Sequence, residues 1–115
     1  MEFKDLIGET LEYVDQDPEL NEILLTTKSG RRIMIYHEQD CCERVRIVDT
    51  TGNWHDLIGK VIVEADKLSY RLSDCAESAT QTILTFRVDD ATIISRWIGE
   101  SNGYYSERVD IKELT

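Results

Sequence analysis

Along much of the chain, apolar and polar side chains alternate one for one. Ile33, Ile35 and His37 fall on one side of a pleat, with Met34 and Tyr36 on the other; Leu84, Phe86 and Val88 alternate with Ile83, Thr85 and Arg87 in the same way. Successive residues of a strand point to opposite faces, so a period of two predicts half-buried strands. Val45 and Ile47 alternate with Arg44 and Arg46, and Val109 and Ile111 flank Asp110. Ser29-Gly30 and Asp89-Asp90 stand between two such runs, at the spacing of hairpin turns. Asp5-Leu6-Ile7-Gly8 and Asp56-Leu57-Ile58-Gly59 read as short helical turns closed by a glycine. Each is followed by a strand, over 9–14 and 60–66. No sustained 3.6-residue periodicity appears, and Leu68 to Ala79 fits either a loop or one short helix.

The chain also repeats itself. Besides the two Asp-Leu-Ile-Gly stretches, Ile23-Leu24-Leu25-Thr26 returns loosely as Ile83-Leu84-Thr85-Phe86. Arg32 to His37 lines up with Thr92 to Trp97, and Glu43-Arg44-Val45-Arg46-Ile47 with Glu107-Arg108-Val109-Asp110-Ile111. The offset grows from 51 to 60 to 64 residues, as insertions between retained elements of a duplicated unit would make it. Units this short bury their apolar faces on each other. The expectation is one domain over 1–115 with two pseudo-symmetric units, about 3–49 and 54–112, of about four strands each. The predicted fold class is mainly β, with a small α+β fold as the alternative, closing as one antiparallel barrel or sandwich.

Composition narrows the surroundings. With 41% hydrophobic and 31% charged residues in 115, the chain has the profile of a globular domain large enough for one core. Apolar runs such as Ile23 to Leu25 fall far short of a membrane span, and the first residues lack the pattern of a secretory signal. Three cysteines, an odd number, argue against an oxidised secreted framework, so a cytoplasmic location and no membrane partner are expected. A net charge of −10 disfavours direct nucleic-acid binding. The carboxylates are dispersed, without a block of five or six, so the acidity reads first as solubility.

Two stretches hold most of the side chains able to do chemistry: His37-Glu38-Gln39-Asp40-Cys41-Cys42-Glu43, and Trp97 through Ser101-Asn102-Gly103-Tyr104-Tyr105-Ser106-Glu107. Both are predicted to be loops at equivalent places in the two units. The chain here resembles a family of small bacterial and phage proteins sharing a His-x-Gln-Asp-Cys-Cys-Glu stretch and a Trp-x-Gly-x-Ser-Asn-Gly-Tyr-Tyr-Ser-Glu stretch. The match falls on His37, Gln39, Asp40, Cys41, Cys42 and Glu43, then on Trp97, Gly99 and Ser101 through Glu107. The Asp56-Leu57-Ile58-Gly59 stretch is shared as well. The resemblance implies membership of a family of unassigned activity and a phage association, and nothing about mechanism.

Weighed singly, the chemistries are thin. His37, Asp40, Cys41, Cys42, His55 and Cys75 are zinc-ligand types, but thiols at adjacent positions do not have structural-zinc spacing, so no metal and no cofactor are expected. A vicinal disulfide switch lacks the Cys-x-x-Cys at a helix start that lowers a thiol pKa. A hydrolase or transferase would pair His37 with Cys41, Cys42 or a loop serine, without any nucleophile elbow. Asn102-Gly103 is a tight-turn pair, read as a hairpin tip whose aromatics pack back on the sheet. The leading expectation is a non-enzymatic binding module. It would engage an unknown protein or small molecule through His37, Gln39, Asp40, Glu43, Trp97, Ser101, Asn102, Tyr104 and Tyr105. A small enzyme using His37, and an acidic nucleic-acid mimic acting on a host protein, are the alternatives.

Overall fold

A computed structural model describes residues 1–17, 19–72 and 78–114. Eight strands form two four-stranded antiparallel sheets: β1 (Leu11–Asp17), β2 (Glu22–Thr27), β3 (Arg32–Tyr36), β4 (Arg44–Thr51), β5 (Glu64–Arg71), β6 (Ser78–Arg87), β7 (Thr92–Ser101) and β8 (Asp110–Leu114). The sheet orders are β1-β2-β3-β8 and β4-β7-β6-β5. Each sheet has two free edges, so the architecture is a sandwich and not a closed barrel. Among the described residues the only helical pieces are 3₁₀ turns at Phe3–Leu6 and Trp54–Leu57, which makes the fold mainly β. Each turn is followed by a glycine at positive φ, Gly8 at 93° and Gly59 at 81°, in the conformation that glycine adopts without a Cβ penalty.

The element order of the first half returns in the second: a 3₁₀ turn, a three-strand meander, then a fourth strand that leaves for the other sheet. Thus β4 pairs with β7, and β8 pairs with β3. Each half supplies the last strand of its neighbour's sheet, so neither sheet is complete without both. The hairpins at Lys28–Arg31 and Val88–Ala91 each span four residues between paired strands, as the turn residues predicted.

The register refines the repeat. Leu25 faces Ile33 across β2–β3, and Phe86 faces Ile93 across β6–β7. The buried pair Ile23 and Leu25 therefore matches Leu84 and Phe86, not Ile83 and Thr85. A slip of one residue exchanges the faces of a strand, so burial picks the correct alignment. The expectation for 68–79 is corrected as well. Leu68–Arg71 belongs to β5 and Ser78–Ala79 to β6, while residues 73–77, with Cys75, lie outside the described residues.

The core lies between the sheets. Leu6, Leu11, Ile23, Leu25, Ile33, Ile35, Leu57, Ile62, Leu84, Phe86, Ile93 and Trp97 are fully buried there. Each such side chain contributes about 1.5–3 kcal/mol relative to exposure. Phe86 is the aromatic centre, its ring 6.4 Å from that of Phe3 and 5.7 Å from that of Trp54.

Candidate functional site

The strand exchange between sheets places the two motif loops side by side. Tyr36 at the end of β3 faces Asp110 at the start of β8, and Arg44 at the start of β4 faces Glu100 near the end of β7. The loops 37–43 and 102–109 therefore cross from sheet to sheet at the same end of the sandwich. They touch: Nδ1 of His37 donates to the carbonyl of Arg108 at 2.7 Å. A recess of 310 Å³ between them is lined by Cys42 and Arg44 on one side and Ser101, Asn102 and Tyr105 on the other.

Each loop is folded around a buried glutamate. In the first, Glu43 has no exposed side-chain surface. Its carboxylate accepts from the Asp40 N–H at 2.8 Å, the Cys41 N–H at 2.9 Å and Nε2 of His37 at 2.7 Å. A buried carboxylate needs such partners, because an unpaired charge away from water is costly. Bonds from the Cys41 amide first, then from the Asp40 amide and His37, outweigh burial and hold the Glu43 carboxyl down at about 2.

In the second loop, Glu107 is buried in the same position. It accepts from the hydroxyls of Ser101 and Thr80, the latter at 2.6 Å. Burial works to raise its pKa, but hydrogen bonds from Ser101, Thr80 and Ser78, with the charge of Arg71, bring it below the ordinary value. The donor-to-glutamate spacing is six residues in both loops, so Ser101 does for Glu107 what His37 does for Glu43. Gly99 makes room for this: a Cβ there would lie 2.9 Å from Glu107 Cβ and 3.0 Å from its carbonyl oxygen.

The predicted site residues divide sharply. His37 is nearly enclosed, its side chain 5% exposed, and both ring nitrogens face acceptors, so neither is turned toward a nucleophile. Cys41 and Cys42 are exposed and joined to each other by a disulfide. The amide of Gln39 donates to the carbonyls of Cys41 and Glu43 and so braces its own loop. Asp40 contributes its backbone N–H. Of the first loop's predicted residues only His37 and Glu43 are enclosed; Gln39, Asp40, Cys41 and Cys42 stay at the surface.

Trp97 is also inward, which corrects its place in a loop. It lies in β7, fully buried, with Nε1 donating to Ser95 Oγ at 3.0 Å. The second loop begins only after Ser101, itself buried and tied to Glu107. Asn102 caps the turn, its Oδ1 accepting the Tyr104 N–H at 2.9 Å, and Gly103 takes φ 90°. Because β7 and β8 lie in different sheets, this is a crossing loop and not a hairpin. Tyr104 does not pack back on the sheet; it is 84% exposed and meets the half-buried Tyr105 edge to face at 5.2 Å. Among the described residues no three His, Cys, Asp or Glu side chains are grouped to hold a metal, and His55 lies exposed in the second 3₁₀ turn.

The sequence reading missed a further set of residues. The inner face of β5 runs Ala65, Lys67, Ser69, Arg71, and that of β6 runs Phe86, Leu84, Thr82, Thr80, Ser78, so the lining turns from apolar to polar toward the loops. The signal was the alternation Lys67-x-Ser69-x-Arg71, hidden because the intervening Leu68 and Tyr70 are the ones that face solvent.

A family model described as a domain of unknown function, DUF7448, matches residues 4–111. The chain belongs to that family. Neither a curated protein nor a solved structure matches it. No helix among the described residues is long and apolar enough to cross a membrane.

Proposed function

We propose that this DUF7448 protein is a non-enzymatic binding module. In this reading it is cytoplasmic, of phage or prophage origin, and engages a protein or small ligand with the end of the sandwich where the two loops meet. One observation carries the proposal: Tyr104 stands 84% exposed on a loop whose backbone is fixed beneath it. Glu107, Ser101 and the Asn102 turn supply that fixing. An exposed aromatic ring braced by a half-buried neighbour on a pre-ordered loop presents contact area at little entropic cost on binding. The phage origin rests on the motif resemblance alone.

The alternatives draw less support. A hydrolase built on His37 needs a ring nitrogen aimed at a nucleophile, and both are engaged within the loops. An acidic mimic needs carboxylates gathered without cations, whereas Arg46, Lys60 and Arg96 pair with Glu100, Asp90 and Asp49 across the surface.

The test is a small-fragment screen followed by amide chemical shifts of the labelled protein. Hits should perturb residues 101–108 and their neighbours, and Tyr104→Ala should weaken them. Hits confined to other faces of the sandwich would overturn the proposal.

A further inference from the structure

The polar end of the inner face is an opening in the sandwich. Lys67, Ser69, Arg71, Ser78 and Thr80 continue the face that, at Ala65, Leu84 and Phe86, is packed core. Sheets cannot close over such side chains without stripping them of water. What remains is a groove of 210 Å³ between these strands and the second loop, with Lys67, Arg71 and Arg108 around it and Ser78, Thr80 and Tyr105 among its hydroxyls.

Three cations line this groove on a chain of net charge −10: Lys67, Arg71 and Arg108, the last already paired with Asp110 at 3.1 Å. The groove has a single carboxylate, Glu107, and its oxygens are occupied by Ser101 and Thr80. Lys67 is held in place, its Nζ donating to the Val109 carbonyl at 3.2 Å and lying 5.7 Å from the centre of the Phe3 ring. Gathered like charges repel one another, and an anion entering between them relieves that repulsion. Guanidinium forks, an ammonium and several hydroxyls together provide many donors around one point, which suits a tetrahedral oxyanion.

The groove does not end there. Lys67 and Arg108 also line an adjoining hollow of 420 Å³, whose apolar part is Met1, Phe3, Ala65 and Ile111 and whose rim carries Lys4 and the carboxylates of Glu2, Asp66 and Asp110. We propose that the paired grooves bind a small phosphate monoester. Its phosphoryl group lies among Lys67, Arg71 and Arg108, and its apolar or aromatic body lies over Phe3 and Ile111. This deepens the binding-module reading and rests on it in one respect, that the second loop is a recognition element.

The test titrates inorganic phosphate, then phenyl phosphate, into the labelled full chain at constant ionic strength held with chloride. Saturable amide shifts are expected around Lys67, Arg71, Ser78, Thr80 and Arg108, with phenyl phosphate about tenfold tighter than phosphate. Lys67→Gln and Arg71→Gln should each weaken binding about tenfold, as loss of one charged donor does. Arg46→Gln, which removes a cation already paired with Glu100, should leave it unchanged. Non-saturating shifts would overturn the proposal, as would unchanged affinity in a Lys67→Gln/Arg71→Gln/Arg108→Gln variant with a native spectrum. Equal affinity for the two ligands would overturn the assignment of the adjoining hollow. Tighter, steeply salt-dependent binding of a single-stranded oligonucleotide would replace the small ligand by nucleic acid. Fragments that bind the second loop while phosphate does not would sink this inference and leave the binding-module reading standing. Failure of both probes would sink both.

Discussion

The two motif loops share a plan and differ in what they do with it. Each spans six residues from a hydrogen-bond donor to a buried glutamate, His37 to Glu43 and Ser101 to Glu107. The first loop satisfies its glutamate from within: imidazole, two amides and the Gln39 carboxamide all bond inside the loops. The second closes its glutamate with hydroxyls that come largely from strands, Ser101 from β7 and Thr80 from β6. Its own tip residues are thereby left free to face outward, with Tyr104 in solvent and Arg108 beside the groove. Equal richness in polar residues does not mean equal availability. What decides is whether the donors that satisfy the buried charge come from the loop or from its surroundings.

The sharpest way to break the comparison is to remove each glutamate. Glu43→Ala strands an enclosed imidazole and two loop amides, and the loss of a buried charged partner costs about 3–5 kcal/mol. Glu107→Ala leaves only hydroxyls, which can turn to other acceptors, and should cost about 1–3 kcal/mol. Urea unfolding of the two variants measures the difference, and equal losses would mean that the loops are held alike. Gly99→Ala pushes a Cβ into the Glu107 backbone and should cost about 1–3 kcal/mol, expressed locally as shifts in the second loop and not in the first.

Acidity sharpens the contrast further. The folded-state pKa of Glu43 is held at about 2, below the ordinary 4.5, so the stability it contributes is fully present above pH 4.5. That contribution is lost as pH falls from 4.5 toward 2. The urea midpoint of the native protein should therefore decline over that window, and Glu43→Gln should flatten the decline. The smallest effect on stability belongs to Tyr104→Ala. As a surface truncation it should change stability by less than about 0.5 kcal/mol while weakening ligand binding. A large loss of stability would place Tyr104 in the fold and not in the recognition edge.

Much of the fold was legible from alternation and turn chemistry, because half-buried strands and glycine-closed turns write themselves locally. The end of β7 was not. Its inward positions past Trp97 are Gly99 and Ser101, small residues chosen to admit Glu107, and they erase the apolar alternation that marks a strand. The exchange of β4 and β8 between sheets is a long-range pairing with no local signature. The loop addresses were readable from composition and repetition. That His37 bonds the carboxylate of Glu43 and Gln39 its backbone carbonyl was not, since a polar side chain looks the same in sequence whether it faces water or a partner in its own loop. The recurring Glu-Arg-Val was the available clue to the two buried glutamates. The cations at Lys67 and Arg71 became meaningful only once β5 was seen to carry them onto the inner face.

Amide hydrogen exchange, followed residue by residue in the two loops, measures the asymmetry directly. Slow exchange is expected at Asp40 and Cys41, whose N–H groups are bonded to the enclosed Glu43, and faster exchange at Tyr105 and Ser106 on the outward loop. Free exchange at Asp40 and Cys41, matching that of Tyr105, would contradict the asymmetry.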